Sequence, residues 1–153
     1  MYISYIKHDF IGNIVIKGND KAICSIELNV EEIPKEFKEN EITKKCKKEL
    51  MEYFKGKRKE FDVPLELEGS EFQLEVWEVL KKIPYGDVIS YYDEAVMYKE
   101  KKYARAVSNA NNKNPIPIII PCHRVKQKDG YIGGYKYGVD IKKYLLRLEE
   151  ENR

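Results

Sequence analysis

Short runs of β-prone residues open the chain. Ile3 and Tyr5, then Ile14-Val15-Ile16, then Ala22 to Leu28 alternate or cluster as strands do, with Gly12-Asn13 and Gly18-Asn19-Asp20 between them as turn signals. This pattern predicts a small antiparallel sheet. The period then changes. Ile42, Cys46, Leu50 and the Tyr53/Phe54 pair recur on one helical face, so a helix is expected over about 42–54, closed by Gly56. Cys46 lies on that apolar stripe and Cys24 lies in the third strand, so both are expected as buried structural thiols. The acidic, Pro-containing stretch 61–69 reads as a linker, which gives an N-terminal α+β domain over 1–60 and a second domain over 70–153.

The second domain starts on a helix. Ser70 and Gln73 form a capping box, Phe72, Val76, Val79, Leu80 and Ile83 follow at helical spacing, Trp77 lies beside that stripe, and Pro84 ends the run. Ser90 and Asp93 cap a further helix over about 90–98. A polar break at 99–101 precedes another over about 102–112. Two short helices with a tight polar turn between them resemble a helix-turn-helix. The second of the pair holds one Arg among small residues, Ala104-Arg105-Ala106-Val107-Ser108-Asn109-Ala110. A small-residue face lets a backbone come close to a surface, as entry into a groove only about 6 Å wide requires. The same composition also suits a helix packed against a neighbour.

The run from Asn114 to Val125 carries the candidate chemistry. Pro115, Pro117 and Pro121 exclude a helix or a central strand and predict an extended, rigid segment with Ile118-Ile119-Ile120 buried. It delivers Cys122 between a proline and the pair His123-Arg124. Flanking cationic groups lower a thiol pKa, and a nearby His accepts the proton of a nucleophilic thiol. Adjacent residues of an extended chain point to opposite sides, so a bridging water between Cys122 and His123 is expected. A third group ordinarily orients the His, and Asp129, Asp140, Glu149 and Glu150 are the carboxylates available downstream. The glycine-rich stretch 130–135 lacks the Gly-Lys-Ser/Thr ending of a phosphate loop and reads as a mobile substrate loop.

Composition narrows the classes. With 153 residues, 42% hydrophobic and 12% aromatic, the chain is long enough for a core and too apolar for a solvated tail. No apolar run approaches the roughly 20 residues that span a bilayer, and the N-terminus carries no secretory pattern. Three widely spaced cysteines argue for a reducing compartment, here taken as the cytoplasm. The net charge of +2 hides an asymmetry: residues 1–100 hold 16 Lys+Arg against 21 Asp+Glu, whereas 101–153 hold 12 against 5. A basic final third suggests a surface that faces a polyanion.

Pro121-Cys122-His123-Arg124-Val125, preceded by Asn114-Pro115-Ile116-Pro117, resembles the active-site signature of the O6-alkylguanine-DNA alkyltransferases. Phe72-Gln73, Val76-Trp77 and Ile83-Pro84-Tyr85-Gly86 resemble the family's entry to its DNA-binding part. Val88-Ile89-Ser90-Tyr91 and Ala104-Arg105-Ala106-Val107 resemble its helix-turn-helix, Gly130 to Gly138 its substrate loop, and Lys143 to Glu149 its closing helix. The likeness covers about 61–150, with the first 60 residues matching in outline. It implies an α+β protein, with a small RNase H-like sheet-and-helix domain before a mostly helical, winged helix-turn-helix-like domain.

The resemblance also implies roles. Cys122 takes the alkyl group from O6 of guanine, and His123 acts as its base through a water. Glu149 orients that His, and Asn114 organises the turn beside the thiol. Tyr91 donates to the guanine, with Tyr135 in the pocket and the backbone of Cys122, Val125 and Lys136 reading the edge of the flipped base. Arg105 fills the gap left by the extruded nucleotide, and Ala106, Ser108, Asn109 and Arg124 join it as DNA-binding residues. The partner implied is double-stranded DNA containing O6-alkylguanine, met by a monomer without cofactor or membrane. Some relatives hold zinc near the N-terminus. Here only His8 and Cys24 are candidate ligands, too few for a closed site, so no metal is expected. Against the family pattern, Glu94 stands at a usually apolar position, Ser108, Asn109 and Asn111 replace small or apolar residues, and Lys136 replaces a small or polar one. Two other readings compete: a non-catalytic module that binds alkylated DNA, which would lack the Cys, and a thiol hydrolase, which leaves the helix pair and basic region without purpose.

Overall fold

The computed structural model describes residues 1–153 and divides into two compact units, Met1–Leu67 and Glu68–Arg153.

In the first unit, β1 (Tyr2–His8), β2 (Gly12–Gly18) and β3 (Ile23–Val30) form an antiparallel sheet in the order β1-β2-β3. Pairing of Tyr5 with Val15 and of Ile16 with Ile26 sets the register. The central strand explains its continuous apolar run: Ile14, Val15 and Ile16 are all buried. The β1–β2 turn is held by His8, whose Nδ1 accepts from the amides of Phe10 and Ile11, and by Gly12 at φ 89°, a conformation a side chain would strain. Helix α1 (Glu41–Phe54) begins at Asn40, whose side chain accepts from the Thr43 amide. It buries Cys46, Leu50 and Tyr53. Burial and the Glu49 carboxylate push the Cys46 thiol up to about 12. Cys24 differs from expectation. It is half-buried at a register shift, where Gly18 pairs with Ile23 and Lys17 with Ser25, so that no residue of β2 stands opposite Cys24.

Residues 61–67, read from the sequence as part of a linker, belong to this unit. The Ile23 amide donates to Pro64 O and the Glu66 amide donates to Ile23 O, each at 2.9 Å, so Leu65 runs parallel beside β3. The buried Val63 side chain ties this segment down.

The second unit contains α2 (Glu71–Leu80), β4 (Ile89–Ser90), α3 (Tyr91–Tyr98), α4 (Ala104–Asn111), β5 (Val125–Lys126) and α5 (Val139–Glu151), with 3-10 turns at Lys101–Tyr103 and Cys122–Arg124. Reciprocal capping boxes start α2 (Ser70 with Gln73) and α3 (Ser90 with Asp93), as the sequence predicts. Val76, Ala95, Val107 and Ala110 form the contact of α2, α3 and α4, with Phe72, Tyr98 and Tyr103 against them. Trp77 is 1% exposed and donates from its indole nitrogen to Ala110 O at 2.9 Å. This bond removes the cost of burying both groups and ties α2 to the end of α4. A two-residue parallel ladder, Ile89 with Val125 and Ser90 with Lys126, joins the start of α3 to the end of the cysteine turn.

The proline-rich segment is not extended. It folds back on itself: Ile120 N donates to Ile116 O, Ile119 N to Pro117 O, and Ile118 takes φ 74°. The prolines supply fixed φ values without amides that need partners, and this suits a tight buried turn as well as an extended run. No helix in the molecule is long and apolar enough to cross a membrane.

Candidate active site

Asn114 organises the turn that carries the cysteine. Its Oδ1 accepts from the Ile116 amide at 2.9 Å, and its Nδ2 donates to Ile120 O at 2.7 Å and to Cys122 Sγ at 3.3 Å. One buried amide therefore closes the loop and touches the thiol. The 3-10 turn at Cys122–Arg124, with Arg124 N donating to Pro121 O, then turns His123 and Arg124 inward together.

Both meet Glu149, on the buried side of α5. His123 Nε2 lies 2.6 Å from Glu149 Oε2, Arg124 Nε donates to Oε1 at 2.7 Å and Nη2 to Oε2 at 3.1 Å, and the Gly86 amide donates to Oε1 at 3.1 Å. The remaining Arg124 Nη1 donates to Ile83 O at 2.7 Å. Of the four downstream carboxylates, then, Glu149 is the one that meets His123. Burial alone would raise its pKa, but its hydrogen bonds and charge contacts with His123 and Arg124 hold it well below the usual carboxylate range. Burial holds the His123 imidazole below its ordinary value, so the ring is neutral. With Nε2 on Glu149, the buried Nδ1 has no hydrogen-bond partner.

Arg124, expected on the DNA-facing surface, is placed in the interior and fully engaged there. Only the fold reveals this: a guanidinium that meets a buried carboxylate through two of its nitrogens gains more than one in water. The same contact explains a second difference. His123 and Arg124 do not lower the thiol pKa, because the Arg charge is matched by Glu149 and the His is neutral. Burial pushes Cys122 up to about 11, against the opposing pull of the Asn114 hydrogen bond and the charge of Lys142. The resting site holds a thiol, not a thiolate.

Lys142 is a residue that sequence reasoning missed. It is fully buried on α5, and its Nζ donates to Val125 O at 2.7 Å and Gly134 O at 3.1 Å. Burial lowers it to about 8, opposed by its attraction to Cys122. The signal was in the pattern: Lys142, Leu145 and Glu149 fall at i, i+3 and i+7, which places two charged residues on the apolar stripe of an amphipathic helix.

The other candidates divide by location. Tyr91 is half-buried, with its ring 6.0 Å from Lys142 Nζ. A Cβ at Gly133 would sit 3.3 Å from the Tyr91 hydroxyl, so the glycine permits a close approach of the 130–138 loop. Tyr91 also lines an open cleft of about 580 Å³ with Tyr92, Gln127, Lys128 and Asp129. The Tyr135 hydroxyl is buried without a hydrogen-bond partner, and burial together with Cys122 pushes it well above its ordinary value. Lys136 is exposed. The Cys122 amide donates to Ile120 O and the Val125 amide to Cys122 O. The carbonyls of Cys122 and Val125 each keep a second acceptor position. On α4, Arg105 and Asn109 are exposed, and Ala106 and Ser108 are half-buried. No group of three or more His, Cys, Asp or Glu side chains is placed to hold a metal ion.

Two family models divide the chain between them. One, described as the ribonuclease-like domain of 6-O-methylguanine DNA methyltransferase, matches residues 1–67, and the DNA binding domain of the same family matches residues 71–151. A methylated-DNA–protein-cysteine methyltransferase of Methanosarcina barkeri is 44% identical over 147 residues, 93% of each chain. The constitutive Bacillus subtilis protein of that name is 44% identical over 115 residues, 74% of this chain and 70% of the relative. Among solved structures, Mycobacterium tuberculosis OGT in complex with DNA superposes with a TM-score of 0.89 at 34% identity, covering 99% of this chain and 94% of that one. With both domains matched in order, and with a cysteine turn built on Asn114 and backed by His123 and Glu149, the chain belongs to the O6-methylguanine DNA methyltransferase family.

Proposed function

We propose that this protein repairs O6-alkylguanine in duplex DNA by moving the alkyl group to Cys122 Sγ, once per molecule. The observation that carries the reading is the array Asn114–Cys122 beside His123–Glu149, in which a buried thiol has an ordered donor and a neutral, oriented imidazole next to it in sequence. The thiol proton passes through a water to His123 Nδ1, the unpartnered ring nitrogen. Glu149, held ionised, stabilises the imidazolium that forms. Sγ then attacks the alkyl carbon; the carbon–sulfur bond forms, the carbon–O6 bond breaks, and its electron pair passes to the guanine. Tyr91 donates a proton to the leaving base and regains one from solvent, while the imidazolium releases the thiol proton to solvent, so that both groups end neutral. Lys142, close enough to act on Cys122, favours the thiolate while it lasts.

The reacting carbon lies inside a base stack, so the nucleotide must be extruded before transfer. The exposed Arg105 fills the gap in the stack, and Ala106, Ser108 and Asn109 on the same helix approach the minor groove. The carbonyls of Cys122 and Val125, with the Lys136 backbone and Tyr135, face the flipped base. The product is a thioether, whose carbon–sulfur bond is stable, which makes the protein a single-use reagent. It works as a monomer in a reducing compartment, where the three free cysteines stay reduced.

The test is an intact mass after incubation with a duplex containing O6-methylguanine, followed by peptide mapping. The expected result is a gain of one CH2 on the peptide that contains Cys122, reaching one methyl per protein and no more. An unchanged mass with tight, damage-selective binding would instead favour a non-catalytic binding module. The Arg105 role has its own check. Arg105→Ala is expected to slow transfer from duplex by about tenfold or more, the scale of losing part of the few kcal/mol that hold a base out of the stack. Transfer from the free O6-alkylguanine base, which needs no flipping, should stay within twofold, and equal losses on both substrates would remove the role.

A further inference from the structure

Glu94 is a carboxyl with no cation to pay for its burial. It sits on α3 with 0% exposure and its Oε1 accepts from Asn111 Nδ2, at the end of α4, at 2.8 Å. The other two polar atoms of the pair, Glu94 Oε2 and Asn111 Oδ1, are both buried without a hydrogen-bond partner. Both are acceptors, on side chains already joined by one hydrogen bond, so neither can satisfy the other unless one of them carries a proton. A neutral carboxyl supplies it: Oε2–H donates to Asn111 Oδ1 while Asn111 Nδ2 donates to Oε1, and all four atoms are satisfied.

We propose that Glu94 is carried in the folded protein as a neutral acid and forms with Asn111 a two-hydrogen-bond clasp between α3 and α4, positioning the Tyr91 and Cys122 side of the site. The link to the site is direct. Asn111 O accepts from the Asn114 amide at 3.3 Å, and Asn114 Nδ2 touches the thiol. The surroundings favour the neutral form. The titratable groups facing Glu94 are Tyr91 on its own helix and Cys122 from the loop after α4, and a charge on Glu94 would oppose ionisation of both. The adjacent cluster of Val76, Ala95, Val107 and Ala110, with Phe72, Tyr98 and Tyr103 around it, brings no cation. Lys142, over the Tyr91 ring, is engaged by the Val125 and Gly134 carbonyls. Burial accordingly lifts the Glu94 carboxyl to about 8, with the Asn111 bond opposing the rise.

The sign of the pH effect follows. The unfolded chain releases this proton near pH 4.5 and the folded chain holds it to about pH 8. Stability is therefore lost as pH rises through that interval and levels off above it. Glu94→Gln keeps both hydrogen bonds, since its amide donates to Asn111 Oδ1 and its oxygen accepts from Nδ2, and it has no proton to lose.

Thermal midpoints of the wild type and Glu94→Gln, measured from pH 5 to pH 9, decide the clasp without reference to any activity. The variant's advantage is expected to widen by roughly 5 °C or more up to pH 8 and then stay constant. A gap that does not change with pH, or a variant less stable than wild type at pH 8, overturns the proposal. The positioning role rests on the alkyl-transfer reading and is tested on the same samples. The ratio of variant to wild-type transfer rate from duplex O6-methylguanine should rise at least about fivefold between pH 6 and pH 9, as the wild type gains a buried charge beside the thiol. Glu94→Ala, which deletes the clasp, should be slower than Glu94→Gln at pH 6. A flat ratio, or equal rates for Ala and Gln, overturns positioning. No transfer by any of the three proteins would refute the alkyl-transfer reading and leave the midpoints to judge the clasp.

Discussion

Cys122→Ser is expected to abolish alkyl transfer while leaving fold and damaged-duplex binding in place. The replacement is nearly isosteric, and Asn114 Nδ2, 3.3 Å from Sγ, donates to a hydroxyl as well as to a sulfur. The chemistry does not survive the change. Burial already holds the thiol at about 11, and in the proposed route His123, reached through a water, takes that proton only during reaction. A serine hydroxyl is far less acidic and less nucleophilic towards an alkyl carbon, so the same base finds no anion to form. Incubation of the variant with a methylated duplex should give no mass change over hours, with a dissociation constant within about threefold of wild type. A methyl group recovered on the variant protein would mean that another side chain is the acceptor. Loss of binding together with transfer would mean that the sulfur holds the loop rather than reacts.

The second large effect is expected at Glu149. Its carboxylate accepts from the Gly86 amide, from two nitrogens of Arg124 and from His123, at 1% exposure. Glu149→Ala strands a buried guanidinium and should cost about 3–5 kcal/mol, read as a fall in the denaturant midpoint at neutral pH. Glu149→Gln keeps the volume and one acceptor oxygen and should cost less. Its transfer rate should nonetheless fall at least about tenfold, because a neutral amide cannot stabilise an imidazolium.

The pH dependence separates charge from shape. A carboxylate held below its ordinary 4.5 contributes stability that is complete above that pH and lost as pH falls below it. His123, held neutral below its ordinary 6.5, adds a loss with the same sign that starts as pH falls through 6.5. Between pH 8 and 4.5 the gain from the Glu94 proton opposes the His123 loss, so the net weakening of the wild type on acidification should set in as a stage below about pH 4.5. In Glu149→Gln the stage below pH 4.5 should shrink, and an unchanged acid limb would show that Glu149 is not ionised in the native protein.

Much of the framework was legible because it rests on local rules. The capping pairs Ser70–Gln73 and Ser90–Asp93 act within one helical turn, so the starts of α2 and α3 could be read residue by residue. The apolar triplet at 14–16 and the turn glycines placed the sheet. Cys122 with its following His pointed to a nucleophile, and the family resemblance supplied Asn114 and Glu149 as its partners. The proline segment was misread because a fixed φ is compatible with both a turn and an extended run. What selects between them is the Asn114 amide, which reaches six residues ahead to Ile120 O.

Residue order therefore determined the elements, their caps and the kind of chemistry, since each depends on neighbours a few positions away. The protonation states and the fate of each charge were decided only in three dimensions. Arg124 reads as a surface cation until α5 brings Glu149 to it from 25 positions away. Lys142 stands out in sequence as a charge on the apolar stripe of α5, but the two carbonyls that close over it come only with the fold. Glu94 reads as a substitution in an apolar stripe until Asn111 arrives on the next helix. In each case the deciding quantity is the loss of water around a polar group and the identity of the partner that replaces it. Chain folding sets both, and spacing along the sequence sets neither.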